Sequence, residues 1–188
     1  MGMTLLFALL LAVLIGFFAL RIWAHTAPQP ELGAEHGKLA PCPESPNCVS
    51  SEASDEEHAI APLELPVGGA ATGATGDGGA TTGDGGAVGG AVGDGGAGKD
   101  PTSVAIEALK AVVAEMPRSR VVVERENYLA AEFRSKIFGF IDDVEFRVDA
   151  DAGVVHFRST SRLGYSDMGA NRERMEAIRR LWSQRVSK

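Results

Sequence analysis

The sequence predicts an α+β fold, a single small two-layer domain with a four-stranded antiparallel sheet packed by two helices. Three observations carry this prediction: an apolar run at the N-terminus, a glycine-rich stretch in the middle, and four alternating apolar segments between two helical patterns after residue 100. The chain is therefore divided into a transmembrane or signal-anchor helix (3–24), a linker (25–38), a Cys-Pro segment of the globular domain (39–65), a disordered Gly/Ala/Asp-rich insertion (66–99) and the α+β domain (100–188).

The N-terminal run is long enough to anchor the chain in a membrane. Residues 4–20 carry no charged side chain, and with Ile22 and Trp23 the run approaches the roughly 20 apolar residues that span a bilayer. A cleaved signal peptide is the alternative, but the run has no basic start and "RIWAHTAP" contains no Ala-x-Ala cleavage site. We therefore expect a single pass through the inner, cytoplasmic membrane. Arg21 alone would keep the C-terminal end of the helix in the cytoplasm.

The glycine-rich stretch predicts an insertion without a core. It repeats "GDGGA" at Gly76, Gly83 and Gly93. Glycine loses the most backbone entropy on ordering, and alanine and threonine bury too little apolar area to offset that loss. A calcium-binding repeat would need a fixed nine-residue period with an apolar position. The spacings here are seven and ten residues, which favours a flexible linker.

The globular pattern begins and ends with a helix. Asp100 and Pro101 supply an N-cap acid and a first-turn proline, and Pro117 ends the first helix. We expect Asn171 to cap the second helix. Four segments rich in β-branched and aromatic residues lie between the helices and predict strands: "RVVVERE", "YLAAEFRSKIF", "FIDDVEFRVD" and "GVVHFRSTSR".

The last two strands predict their own register. Pairing Val148 with Val155 puts the apolar side chains of both strands on one face. The same register pairs Val144 with Ser159, Phe146 with Phe157 and Asp142 with Ser161 on the core face, and Glu145 with Arg158 and Arg147 with His156 on the other face. Asp142 is therefore expected on the core face, where a carboxylate needs a cation, and Arg162 or Arg172 is the expected partner.

Four stretches, "LAPCPESPNCVSS", "GFIDDVEFRVD", "VVHFRSTSRLGYSDMGANR" and "RMEAIRRL", occur together in this chain. Together they resemble the family catalogued as domain of unknown function 1499. The resemblance covers residues 39–65 and 101–182, and the glycine-rich stretch departs from it. It implies a small extracytoplasmic or membrane-associated domain, found in many bacteria and with plastid relatives in plants. It implies no established reaction.

The stretch "RSTSRLGYSDMGANR", residues 158–172, is the candidate site. Arginines beside a helix N-terminus are suited to holding an anion. The candidate ligand-binding residues are Arg158, Ser161, Arg162, Tyr165, Asp167, Asn171 and Arg172. Alternatively, Asp142, Asp143 and Asp167 neutralise these arginines in a structural network, which the local balance of acids and bases favours.

The chemistry-bearing residues lean away from an enzyme. No cofactor is expected, and no metal site, because Asp142 and Asp143 point to opposite faces of a regular strand. A serine hydrolase needs a histidine base, and His156 is predicted on the face opposite Ser161. The catalytic residues stay unknown. The alternative is a cell-envelope enzyme that acts on an anionic substrate with Asp142 or Asp167 as general acid or base.

Cys42 and Cys48 are the two cysteines of the chain, and five residues separate them. Zinc sites and thioredoxin-like pairs use shorter spacings. A disulfide, which Pro43 and Pro46 would help to bend, is favoured over two free thiols, and such bonds persist in oxidising compartments. The expected disulfide is stronger evidence for the side of the membrane than the single charge of Arg21. We therefore expect the globular domain on the extracytoplasmic side.

The charge distribution excludes one class of partner. The net charge of −7 is uneven, since residues 1–100 hold 3 Lys and Arg against 12 Asp and Glu, whereas residues 101–188 hold 15 against 13. Neither half has the basic aromatic stretch that nucleic acid requires. We therefore expect an anchored, non-enzymatic domain that binds an anionic small ligand or an envelope protein, or acts in assembly.

Overall fold

A computed structural model describes residues 2–35, 37–66 and 100–187. The expected disordered insertion, apart from Pro66, lies outside the described residues. The elements, in chain order, are helix α1 (Gly2–His25), strands β1 (Ala34–Glu35), β2 (Lys38–Leu39), β3 (Cys48–Ser50) and β4 (Leu63–Glu64), helix α2 (Pro101–Glu115), strands β5 (Ser119–Arg125), β6 (Tyr128–Arg134), β7 (Ile141–Asp149) and β8 (Val154–Ser161), and helix α3 (Ala170–Val186).

Helix α1 is a candidate membrane span. Its stretch Met3–His25 has a mean hydropathy of 2.8, and none of the apolar window is buried against the rest of the described chain. A helix of this length reaches across the hydrocarbon core of a bilayer. The expected N-terminal apolar helix is confirmed by length and composition.

The main sheet has six strands, so the expected number of four is wrong. The four predicted strands are β5 to β8, which pair antiparallel with their neighbours in sequence, and β3 and β4 add to the far side of β8. Strand β3 pairs Cys48 with Thr160, and β4 pairs Leu63 with Val155. Strands of two or three residues are too short to show an alternating pattern, so sequence periodicity could not reveal them.

The predicted register of β7 and β8 is confirmed. Val148 pairs with Val155, and Asp142 pairs with Ser161. The core side therefore carries Val144, Phe146 and Phe157, all fully buried. Helices α2 and α3 cover this face and pack on the same hydrophobic cluster.

The two helices begin differently. For α2 the prediction is confirmed, because the Asp100 carboxylate accepts a hydrogen bond from the Ser103 amide at 3.0 Å. For α3 the expected Asn171 cap is wrong. Gly169 is the N-cap residue, with a left-handed φ of 84°, and Asp167 accepts bonds from the amides of Gly169 at 2.9 Å and Asn171 at 2.7 Å. The Asn171 side chain is thereby free to enter the core.

The other face of the sheet is also covered. Residues 31–35 and 37–41, here called the strap, run across it, and within the strap β1 and β2 form a two-stranded antiparallel hairpin. Leu39 packs with Tyr128 and Ala130 in a second, smaller hydrophobic cluster. The strap is fixed to the sheet because the Gly33 amide donates to Glu145 at 3.0 Å. Charged residues on this face are therefore buried.

Candidate functional site

Asp142 lies in a buried polar network on the helix-covered face. It forms an ion pair with Arg174, whose Nη1 also donates to Asn171 Oδ1 at 2.6 Å. Asn171 Oδ1 accepts a second bond from Ser159 Oγ at 2.6 Å, and Asn171 Nδ2 donates to Ser161 Oγ at 3.0 Å. Asn171 and Ser159 are fully buried, so the network has no solvent face at its centre.

The expected partners of Asp142, Arg162 and Arg172, are both wrong. Arg174 lies in the second turn of α3, four residues after Ala170, and projects toward the sheet. Its guanidinium lies 5.0 Å from the centre of the Phe133 ring. Arg172 projects elsewhere and donates to the carbonyls of Glu57 at 2.9 Å and Ala59 at 3.1 Å.

Arg162 is bonded on the strap-covered face. Its guanidinium donates two bonds to Asp143, both 2.7 Å long, and one to Glu132 at 2.7 Å. Burial tends to raise the pKa of Glu132, but the bonds from Arg120 and Arg162 outweigh it and lower the pKa. For Asp143 burial dominates and raises the pKa despite the pair with Arg162. Asp143 thus contacts one of the candidate arginines, and its role in a structural network stays a prediction.

Arg158 and Glu145 form a second buried pair on the same face, opposite each other as the register predicted. Arg158 Nε donates to Glu145 Oε2 at 2.7 Å, and the Tyr128 hydroxyl donates to Glu145 Oε1 at 2.6 Å. Burial, followed by the adjacent Glu145 carboxylate, raises the pKa of Tyr128 well above its ordinary value. Arg158 also reaches the Pro41 carbonyl at 3.3 Å, so the pair holds the strap in place.

The seven candidate residues do not converge on one point. Ser161 and Asn171 lie in the network on the helix-covered face, whereas Arg158 and Arg162 are bonded on the strap-covered face. Tyr165 is 77% exposed and has no hydrogen bond or ring contact within the described residues. The contacts of Asp167 and Arg172 are to backbone amides and carbonyls. The anion site at residues 158–172 stays a prediction.

The predicted disulfide between Cys42 and Cys48 is confirmed. Its loop is fastened to the end of β8, because Asn47 Nδ2 donates to the Gly164 carbonyl at 2.6 Å. His58, which sequence reasoning did not select, fastens the loop from the other side. Its Nε2 lies 3.2 Å from the Ser45 carbonyl oxygen, and its Nδ1 lies 2.6 Å from a carboxylate oxygen of Asp55.

The family model that matches this chain covers residues 38–181, from the start of β2 into α3. The chain belongs to the DUF1499 family, whose description is a protein of unknown function. No curated protein and no solved structure gives a significant match. The DUF1499 region contains the disulfide, the six-stranded sheet and both charged networks, whereas α1 and the first half of the strap precede it.

A groove of about 560 Å³ lies between the strap and the turn that joins β5 to β6. Leu32, Leu39 and Pro41 contribute apolar surface to it. Lys38 and Arg125 are exposed at its rim, and Arg125 forms no ion pair with the side chains that the structure describes. Arg125 instead lies over the Tyr128 ring, 5.6 Å from its centre. No sequence motif marks these residues, because the strap and the β5–β6 turn meet only in the folded chain.

Within residues 2–35, 37–66 and 100–187, no group of three or more His, Cys, Asp and Glu side chains is placed to hold a metal ion.

Proposed function

We propose that this DUF1499 protein is a membrane-tethered, extracytoplasmic binding domain, and that the strap groove receives an anionic small ligand with an apolar part. The observation that carries the proposal is that the guanidinium groups of Arg158, Arg162 and Arg172 are already hydrogen-bonded within the protein. Arg158 and Arg162 are bonded to buried carboxylates, and Arg172 to backbone carbonyls. A second anion would have to displace these bonds, so an anion site at residues 158–172 has less support than the strap groove.

The strap groove offers the chemistry that an anionic amphiphile needs. Lys38 and Arg125 supply positive charge at the rim, and Leu32 and Leu39 supply apolar walls. Glu31 is the one acid among the described residues that line the groove, beside the two cations. A carboxylate or phosphate at the rim with an alkyl or aryl group below it would match this arrangement.

The extracytoplasmic side is supported by the disulfide, because such bonds persist where the surroundings are oxidising. Alkaline phosphatase fused after Lys188 should be active, and a reporter that works only in the cytoplasm should be inactive at the same position. The opposite pair of results would place the domain inside the cytoplasm and refute this part of the proposal.

No contact among the described residues prepares Asp142 or Asp167 to act as a general acid or base, so the enzymatic alternative has less support. The Asp142 carboxylate is paired with Arg174, and the two oxygens of Asp167 accept bonds from helix amides. A general base must lie within hydrogen-bond reach of its substrate, and neither Asp142 nor Asp167 lines the strap groove. The proposal therefore favours binding over catalysis.

Ligand binding is tested with octanoate, which combines a carboxylate with a short apolar chain. The full chain in nanodiscs of zwitterionic lipid is titrated calorimetrically, with empty nanodiscs subtracted. We expect Lys38→Gln combined with Arg125→Gln to weaken binding about tenfold, which corresponds to about 1.4 kcal/mol. Arg180→Gln is the matched control, because Arg180 is an exposed arginine of α3 that lies outside the groove.

Octyltrimethylammonium, whose apolar chain is one carbon longer and whose charge is opposite, should not bind to the groove. Equal affinity of the parent and the double variant for octanoate would refute the groove as the anion site. A loss of affinity in Arg180→Gln as large as that in the double variant would show that only the overall charge matters, and would refute it as well.

A further inference from the structure

The exposed apolar side chains of the domain are concentrated at one end of the sheet. Outside α1, four large apolar side chains of the described residues are exposed: Val104, Ile137, Tyr165 and Met168. Ile137 lies in the connection from β6 to β7, and Tyr165 and Met168 lie in the segment that follows β8. Since β7 begins where β8 ends, with Asp142 opposite Ser161, both segments lie at the same end. Three of the four exposed side chains therefore share that end.

Helix α1 contacts this same end, which we call the anchor end. The Phe138 and Phe17 rings have their centres 6.0 Å apart, and Arg21 Nη1 donates to the Ile137 carbonyl at 3.2 Å. Arg134 Nη1 lies 2.8 Å from His25 Nδ1, so the contact continues to the last residue of the helix. The anchor end is fixed to the helix by an apolar contact and two polar contacts.

The contact with the β6–β7 connection lies within the apolar stretch of α1. Phe17 belongs to the uncharged stretch of α1, and Trp23 lies six residues later, which is about 9 Å along a helix. Tryptophan is enriched at the boundary between lipid and water. If Trp23 lies at that boundary, Phe17 and the Phe138 ring beside it lie below the headgroups. Ile137, 61% exposed, is next to Phe138 in sequence.

Charge at the anchor end also suits a lipid surface. Arg118 and Lys136 lie in the two segments that approach this end, and neither forms an ion pair within the part of the chain that the structure describes. Uncompensated cations beside exposed apolar side chains are the combination by which peripheral segments bind to anionic headgroups. The opposite end, which includes the first turn of α2, exposes Val104 alone among large apolar side chains of the described residues.

We propose that the anchor end is a membrane-docking surface: Ile137, Phe138 and Tyr165 enter the interfacial region of the bilayer that holds α1, and Arg118 and Lys136 bind to its anionic headgroups. The domain is then held with its sheet end on the bilayer, and it does not move freely on its tether. The strap groove is not part of this surface, so the proposal does not depend on the ligand-binding function.

Docking is tested by fluorescence on the full chain in vesicles of phosphatidylcholine with phosphatidylglycerol. A polarity-sensitive dye is attached to Ile137→Cys, Tyr165→Cys or Val104→Cys, and it reacts only with the new thiol because Cys42 and Cys48 are bonded to each other. We expect a shift to shorter wavelength and at least about twofold quenching by lipids nitroxide-labelled near the headgroup for positions 137 and 165, because docked side chains lie at the headgroup boundary. Val104→Cys should give the emission of a dye in water and little quenching.

The same dye tests the charge contribution. Arg118→Gln combined with Lys136→Gln in the Ile137→Cys background should reduce quenching in anionic vesicles toward the value in pure phosphatidylcholine, because the attraction to headgroups depends on these charges. Water-like emission at position 137, equal to that at position 104, would overturn the proposal. A shift to shorter wavelength that appears only when the protein-to-lipid ratio is raised would assign the surface to a second copy of the chain. That result would also overturn the proposal.

Discussion

The two faces of the sheet are both buried, but they bury different chemistry. On the helix-covered face an apolar core surrounds one ion pair, Asp142 with Arg174, within a network of amides and hydroxyls. On the strap-covered face a row of charged side chains is buried with little apolar surface between them. Its carboxylates are Glu132, Asp143 and Glu145, and its guanidinium groups are those of Arg147, Arg158 and Arg162.

This difference teaches that a strictly alternating strand need not have a solvent-exposed face. From Asp143 to Asp149, strand β7 alternates between charged and apolar residues, and all of these except Asp149 are buried nonetheless. A buried charge is tolerated when a partner and hydrogen bonds satisfy it, whereas removing one partner leaves the other charge uncompensated. The comparison predicts that the strap-covered face depends more strongly on individual charged residues than the helix-covered face.

The largest effect is expected for Glu145→Gln on the strap-covered face. Glu145 is fully buried and accepts bonds from Arg158, Tyr128 and Gly33, so its neutral replacement leaves the Arg158 charge unpaired. Unfolding by urea in detergent micelles should show a loss of about 3 to 5 kcal/mol, typical of a broken buried pair. Glu126→Gln, an exposed glutamate, is the control and should change stability by less than about 0.5 kcal/mol. Equal stability of the two variants would mean that the buried Glu145–Arg158 pair contributes no more to stability than an exposed glutamate, and would contradict the prediction.

A somewhat smaller loss is expected for Asp142→Asn on the helix-covered face. The asparagine keeps one acceptor for Arg174, and Asn171 and Ser159 remain as neighbours, so we expect a loss of about 2 to 4 kcal/mol. Asp151→Asn in the exposed turn between β7 and β8 serves as the control. A double-mutant cycle with Arg174→Gln should give a coupling above about 1 kcal/mol. A coupling near zero would show that the pair is not an energetic unit.

Removal of the disulfide tests how much the stability of the domain depends on the covalent bond between Cys42 and Cys48. Replacing Cys42 and Cys48 with serine removes a seven-residue loop closure and should cost about 2 kcal/mol. The Trp182 side chain, 2% exposed and bonded to the Glu64 carbonyl at 2.8 Å, reports unfolding by its fluorescence. The parent protein measured with reductant should match the double variant. No difference between the oxidised and reduced parent would contradict this prediction.

The smallest effect is expected from pH, at His58. Burial by itself lowers the pKa of His58, but the Ser45 carbonyl and the Asp55 carboxylate outweigh it and raise the pKa above its ordinary 6.5. A raised histidine pKa stabilises the fold fully below pH 6.5, and this contribution is lost as the pH rises through the folded-state pKa. The loss should be at most about 1 kcal/mol, the usual contribution of one hydrogen bond.

Urea unfolding at a series of pH values in detergent micelles measures this slope. His58→Gln should flatten it above pH 6.5, whereas His156→Gln, whose imidazole contacts Ser51 and not the disulfide loop, should retain it. A slope of the parent with the opposite sign, or one that survives in His58→Gln, would assign the pH dependence to other groups.

The candidate site was predicted only in part, and the choice of arginine beside Asp142 is where the prediction failed. The sequence indicated that Asp142 would be buried and would need a cation, and it placed Glu145 opposite Arg158. It did not select Arg174, because the choice among arginines spaced two residues apart depends on the residue at which α3 begins. That start is fixed by Gly169 and Asp167, so Asn171 lies inside the helix and its side chain joins Arg174 in the buried network.

The sequence by itself determined what is encoded locally or by period. The apolar length of α1, the cap of α2, the four long strands and the register of β7 with β8 all follow from neighbouring residues. The disulfide between Cys42 and Cys48 was also predictable from their short separation in the sequence. Each of these features needs only a pattern of a few residues, which the sequence carries directly.

Only the tertiary structure decided which distant segments meet. It added β3 and β4 to β8, laid the strap across the charged face, and brought Lys38 to the same groove as Arg125. These segments are short or polar and have no periodicity of their own. Their positions follow from the bonds that buried charges and exposed backbone groups require, and those requirements arise only after the sheet has formed.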